Sequence, residues 1–318
     1  MTLHPDILDG SHAEGARTVA LAMVAEARQD AERLDDPADA EALHDFRVSV
    51  RRLRTTLRAW REPLGKAVRD RDLKRLRRVA RATGEARNAQ VLVAWVAGIA
   101  GTLPPAQRVA GPWLADRRAD RCRSAGLSRT VERFRVAAGS IARHLREGKA
   151  PPSTGTFASA LAGRIRDQGA ALDRRLARVE SDAGGPLAHR ARIEGKRLRY
   201  LLEPVRGAPG VPSGRAVKAL KRLQDLLGDL NDAELAAVAL REARREAGRG
   251  AGLRPALLAL ELRSARRAGL LLARLRAEML PTRGARIIEP ALGVARALEA
   301  RALRGGAAAR ARAAPRAR

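Results

Sequence analysis

One eleven-residue pattern occurs twice in this chain of 318 residues. His44-Asp-Phe-Arg47-Val48-Ser-Val-Arg51-Arg52-Leu53-Arg54 reads as H-x-x-R-V-x-x-R-R-L-R, and His189-Arg-Ala-Arg192-Ile193-Glu-Gly-Lys196-Arg197-Leu198-Arg199 repeats it 145 positions later. Further on, Lys74, Leu76, Arg77, Arg78 and Gly84 recur after 144 positions as Lys218, Leu220, Lys221, Arg222 and Gly228. Two blocks that keep almost one offset are self-similarity on the scale of half a chain, which restricts the architecture before any motif does. The chain reads as a tandem duplication, and its halves are expected to pack about a pseudo-two-fold axis.

The repeated unit is helical. Apolar residues recur at three- and four-residue spacing along nearly the whole chain, with Pro and Gly gathered between the stretches. Ala, Leu and Arg dominate, and only seven residues are Phe, Trp or Tyr, a composition that favours packed helices over sheets. The fold class is all-α. Helices are predicted at 12–34, 38–62, 66–83, 85–100, 105–123 and 129–147, and again at 157–180, 186–206, 214–228, 230–247, 252–279 and 286–304. The first bundle spans 12–150, a Pro/Ser/Gly linker 151–156 and the second bundle 157–304; an Ala/Arg tail, 305–318, is expected to be disordered. Cys122 is the only cysteine, which excludes an internal disulfide and a thiolate zinc cluster. No stretch reaches the roughly 18 apolar residues of a membrane span, and the first ten residues lack the pattern of a signal peptide. A cytoplasmic protein is expected.

Charge sets the choice of partner. The chain holds 63 Lys and Arg against 35 Asp and Glu, a net +28, so its natural ligands are polyanions or anionic surfaces. On a helix, His44, Arg47, Arg51, Arg54 and Arg58 fall within about 80° of one another, flanked by the apolar face of Phe46, Val50, Leu53, Leu57 and Trp60. His189, Arg192, Lys196 and Arg199 form the same stripe in the second half, where Glu203 takes the place of Arg58. Lys74, Arg77, Arg78 and Arg81 add a basic face to the first half, and Lys218, Lys221 and Arg222 to the second. Residues 47–58 carry five Arg and no acid, although like charges at i,i+3 and i,i+4 destabilise an isolated helix. Something outside the helix should compensate.

That something is nucleic acid, lipid headgroups or a free phosphate polymer. The stripes contain no aromatic stacking platform and almost no amide for reading bases. Their apolar faces are accounted for by bundle packing rather than by a membrane surface. A flexible phosphate chain asks only for many guanidinium and ammonium donors along a groove.

The two H-x-x-R-[VI]-x-x-[RK]-R-L-R blocks, each followed by a basic helix ending in a glycine turn, resemble the CHAD (conserved histidine α-helical domain) family over residues 12–304. The stretch Leu226-Leu227-Gly228-Asp229-Leu230-Asn231-Asp232 is especially similar to that family. The resemblance implies two four-helix bundles whose basic surfaces and central cavity bind inorganic polyphosphate, without catalysis and with no cofactor. Carried over by motif position, the binding residues are His44, Arg47, Arg51, Arg52, Arg54, Lys74, Arg77 and Arg78 in one half. His189, Arg192, Lys196, Arg197, Arg199, Lys218, Lys221 and Arg222 match them in the other, and the stripes add Arg58 and Arg81. In the first half Asn88 and Gln90 stand where the family carries acids, which places any ion pair of those acids in doubt. The Glu-x-Glu-x-Lys signature of the triphosphate-tunnel domain often fused to this family is missing from the sequence, so a stand-alone copy is expected.

Three alternatives bear on the same residues. A metal site would need His44 and His189 to converge with a third ligand such as Asp45. Otherwise the histidines are phosphate donors that charge below about pH 6.5, or helix-start residues with a structural hydrogen bond. Hydrolysis of a phosphate chain would need a carboxylate cluster for Mg²⁺, for which Asp225, Asp229 and Asp232 have the spacing; capping the following helix and orienting Arg192 or Arg199 is the expected role. Against polyphosphate binding, with localisation at polyphosphate granules, stand a general nucleic-acid-binding architectural protein without base reading and a structural coat on storage granules.

Overall fold

Ser11 opens the first helix. Its Oγ accepts from the Glu14 N–H at 3.3 Å and donates to the Glu14 carboxylate at 2.8 Å, satisfying one of the donors that a helix start leaves open. Thr156 does the same for the second half, accepting from the Ser159 N–H at 3.2 Å. The two caps meet in an antiparallel bridge: the His12 N–H donates to the Gly155 carbonyl at 3.3 Å and the Phe157 N–H to the Gly10 carbonyl at 2.9 Å. The bridged residues Ser11 and Thr156 are 145 positions apart, and a shift by that offset exchanges the two bonds, as for contacts across a two-fold axis. Gly155 has φ +87° at this crossing, a left-handed value that glycine adopts without steric penalty. A Cβ on Gly15 would lie 2.2 Å from the Phe157 ring, so this approach of the halves requires glycine.

The structure is a computed structural model that describes residues 4–36, 38–39, 41–124, 127–149, 154–181, 185–247 and 252–313, with backbone only for 85–87, 118–124, 185 and 306–313. The described residues are helical apart from loops and the one bridge, the all-α class predicted. Five long helices fill the first half: α1 (His12–Glu32), α2 (Ala42–Ala59), α3 (Asp70–Ile99), α4 (Ala110–Ser124) and α5 (Leu127–Glu147). The second half repeats them as α6 (Phe157–Ser181), α7 (Gly185–Leu202), α8 (Ser213–Glu246), α9 (Leu253–Glu278) and α10 (Glu289–Ala313). Helices α1, α2, α3 and α5 pack in a ring, each against the next, and α6, α7, α8 and α10 pack in the same order. Across the interface α1 meets α6, α2 meets α7 and α3 meets α8. Among the described residues no helix is long and apolar enough to cross a membrane.

The apolar stripes predicted on the repeated helices form the core. Phe46, Val50, Leu53 and Leu57 of α2 are buried, with Phe46 edge-on to Phe134 of α5 at 4.9 Å between ring centroids. Leu198, Leu202, Leu220 and Leu223 are buried in the second bundle. Each such side chain contributes about 1.5–3 kcal/mol by leaving water. A second, smaller core lies outside the rings, where Leu92 and Val96 of α3 and Leu114 of α4 pack with Leu240 of α8 and Leu257 and Leu260 of α9. The ends of α3 and α8 thus tie the halves together a second time.

Two boundaries differ from the sequence reading. Breaks were expected at Gly84 and Gly228, yet α3 and α8 run unbroken through both. Glycine inside a helix costs about 1 kcal/mol relative to alanine, and packing on both sides, by Leu76 and Val79 before Gly84 and by Leu92 and Val96 after it, outweighs that. The aspartates around Gly228 consequently cap nothing. At the other end, α10 continues past Gly305, where a disordered tail was expected, to Ala313, because Ala and Arg are strong helix formers. Residues 151–153 of the expected linker and 314–318 of the tail lie outside the described residues.

Candidate polyanion site

Packing α2 against α7 brings the two motif stripes face to face. Arg51 and Arg54 of α2 and Arg192, Lys196 and Arg199 of α7 are half-buried, whereas Arg58 and Arg197 are exposed. Burial and the neighbouring Arg58, Arg51, Arg77 and Arg197 hold the Arg54 guanidinium below its usual range. Residues from α2, α3 and α7 therefore share one field. Burial also lowers Arg192, with Arg51 adding repulsion and Asp232 opposing it. Lys196 is displaced furthest: burial, then Arg51, Arg192 and Arg199, bring its ammonium down to about 6 against the relief that Asp232 supplies. The Nε atoms of Arg192 and Arg199 are buried with no hydrogen-bond partner. Buried donors are nearly always satisfied in folded proteins, so these two donors call for an acceptor that the chain itself does not provide.

Tyr200, the only tyrosine, lies beneath the cluster. Its hydroxyl accepts from Arg51 Nε at 3.0 Å, and the guanidiniums of Arg199 and Arg52 lie 5.4 Å and 5.8 Å from its ring centre. Such cation–π contacts steady an arginine without consuming its charge. At 6% exposed, Tyr200 cannot stack on a base, so the stripes still lack a stacking platform. Sequence reasoning passed over this residue, for which adjacency to Arg199 was the available signal.

Arg52 was expected to bind ligand and is placed elsewhere. One residue beyond Arg51, it lies about 100° further round the helix and points towards α1 and α7. There it donates from Nε to Glu203 at 2.9 Å and pairs through its terminal nitrogens with Glu26 and Glu203. Glu203 also takes Arg199 at 3.5 Å. The exchange of Arg58 for Glu203 between the halves was the sequence trace of this clamp. Arg197, the counterpart of Arg52, reaches only Glu194 on its own helix, at 3.1 Å.

The remaining predicted residues divide by helix. His189 Nδ1–H donates to Asn231 Oδ1 at 2.8 Å, and Asn231 Nδ2 donates to Asp232 at 3.2 Å. This relay ties α7 to α8 and steadies the acid that faces Arg192 and Lys196, close to the orienting role foreseen for the aspartates. Arg47 Nη2 lies 3.8 Å from where a Cβ on Gly84 would be, an ordinary contact distance that sets Arg47 against α3. Asp45, suggested as a third metal ligand beside half-buried His44, is instead bound to Arg33 at 2.6 Å. Among the described residues no group of three or more ligating side chains converges. Lys74, Arg77, Arg78 and Arg81 line the exposed face of α3, and Lys221 is exposed on α8. Lys218 and Arg222 open instead into a cleft of about 880 Å³ between α8, α9 and the start of α10, with Arg215, Arg274, Arg286, Asp225 and Asp229. A second cleft, of about 980 Å³, lies at the end of α2 with Arg58, Lys66, Arg69 and Arg164.

No curated protein matches the sequence. The crystal structure of the CHAD domain from the plant Ricinus communis is similar, with a TM-score of 0.64 at 19% identity over 94% of each chain. PptA from Streptomyces chartreusis is similar with a TM-score of 0.59 at 18% identity, covering 82% of this chain and 96% of its own. At such identities these likenesses speak for the fold alone. The CHAD domain family model matches residues 18–241, a span that contains both copies of the motif and the whole α2–α7 cluster, and the chain belongs to the CHAD domain family.

Proposed function

We propose that the protein is a non-enzymatic binder of inorganic polyphosphate, held in the groove where α2 faces α7. The observation that carries this reading is the convergence of Arg51, Arg54, Arg192, Lys196 and Arg199 from two halves of the chain, with buried guanidinium donors left unpaired. A run of phosphates supplies an acceptor to each donor and a negative charge to each cation. Binding rather than hydrolysis is favoured by how the acids are spread: Asp225 and Asp229 line the α8–α9 cleft, while Asp232 faces the central cations. Family membership supports the ligand class, and the reading places the protein in the cytoplasm at polyphosphate granules.

A competition titration tests it. Labelled long-chain polyphosphate is bound at about 0.15 M salt and displaced by unlabelled polyphosphate, duplex DNA, RNA or ATP, with selective displacement by polyphosphate expected. Equal displacement per charge by DNA or RNA would establish the second reading, a general polyanion binder, which the net charge of +28 favours. Affinity summed over many cations must weaken steeply with salt, with six to ten phosphates neutralised as a rough guide. Replacing Arg51, Arg54, Lys196 and Arg199 together by Ala should lower affinity by about a hundredfold or more at unchanged helical content. Retained affinity would move the site to the outer helices.

A further inference from the structure

Lys196 occupies an unusual position within the proposed groove. It lies one turn after Arg192 and one turn before Arg199 on α7, between two guanidiniums whose Nε donors are buried and unpaired. The charged groups that face it are Arg51 from α2, Arg192 and Arg199 from its own helix, and Asp232 from α8. Glu203 takes Arg199 at 3.5 Å but is shared with Arg52, and Asp232 is the acid that opposes the rest, so the cluster stays net positive. An arginine in such company keeps its charge, but a lysine can relinquish its proton.

We propose that a polyphosphate segment enters the α2–α7 groove together with one proton, which the side chain of Lys196 takes up as the phosphates arrive. The proposal rests on the polyphosphate reading and makes that binding proton-linked. In the free protein the burial and repulsion described above leave Lys196 mostly neutral at pH 7. Phosphate oxygens placed among Arg51, Arg192 and Arg199 reverse the local field, and the ammonium form becomes the favoured one. The amine gains a proton from solvent, its nitrogen lone pair forming the N–H bond, and no other bond changes. Affinity should therefore rise as pH falls from 8 towards 6 and level off below about 6, where Lys196 is already charged in the free protein.

Isothermal titration of the full chain with long-chain sodium polyphosphate tests this at pH 7 in buffers of different ionisation heat and equal ionic strength. The measured heat should change with buffer ionisation enthalpy with a slope near one proton, and the dissociation constant should tighten about tenfold from pH 8 to pH 7. In K196R, whose side chain keeps its charge, both dependences of the binding that remains should shrink to whatever the histidines and the chain ends of the ligand contribute. Binding whose heat is the same in every buffer overturns the proposal while leaving the polyphosphate reading intact. So does a dependence that K196R retains in full. Absence of polyphosphate binding by the wild-type chain overturns both. Should K196R not fold, K196Q takes its place: a side chain that cannot take up a proton must lose the same part of both dependences, and retaining them in full overturns the proposal.

Discussion

Helices α2 and α7 carry the same motif, and their surroundings treat it differently. In α2 the adjacent Arg51 and Arg52 are held from outside the helix, Arg51 by the Tyr200 hydroxyl and Arg52 by Glu26 and Glu203. In α7 the matching Lys196 is half-buried among cations, and Arg197 turns to solvent with a local partner. The two copies of the motif hold their charges at matching positions, and the neighbours decide which of them is tied to a carboxylate or hydroxyl of another helix.

The largest test of this contrast is R52A. Removing Arg52 strands Glu26 and leaves Glu203 with Arg199 alone; losing one partner of a buried pair costs about 3–5 kcal/mol in comparable cases, and urea unfolding should read a loss of about 3 kcal/mol. A loss under 1 kcal/mol would mean that the clamp is incidental. The next test concerns Lys196. Its folded ionisation lies below that of the unfolded chain, so between about pH 6 and 10.5 the unfolded state holds a proton that the folded state lacks, and stability rises with pH. Replacement by Met removes that contribution, so from pH 7 to pH 8 the wild type should gain up to about 1.4 kcal/mol relative to K196M. Parallel stability curves would show Lys196 to be charged in the fold.

Smaller effects sharpen the comparison. Y200F deletes the acceptor of Arg51 Nε and should cost about 1 kcal/mol in unfolding experiments, with the cation–π contacts kept. A neutral result would leave Arg51 held by its packing alone. R197A, the counterpart of R52A, should change stability by no more than about 0.5 kcal/mol, since its surface pair is screened by solvent. Equal losses in R52A and R197A would erase the distinction between the halves.

Much of the fold was legible because helical periodicity is local. The stripes from His44 to Arg58 and from His189 to Arg199 follow from a 3.6-residue turn, and the packing of Phe46, Leu53 and Leu198 follows from the faces opposite. The helix breaks at Gly84 and Gly228 were misread because a glycine's local cost is small beside the packing on both sides of it, which no short window displays. The aspartate at position 232 and the exchange of Arg58 for Glu203 were visible as letters, but their partners were not.

The sequence by itself determined an all-α chain, a duplicated motif and a strongly cationic character, since composition, spacing and offset are properties of the chain alone. Only the tertiary structure decided that Arg52 is tied to Glu26 and Glu203 while Arg51 meets the Tyr200 hydroxyl, that Tyr200 lies under the cations, and that Lys196 is half-buried among them. Those outcomes depend on contacts such as Arg52 with Glu203, 151 residues apart, and on how much water each charge loses when the halves close. Local spacing carries no information about either quantity.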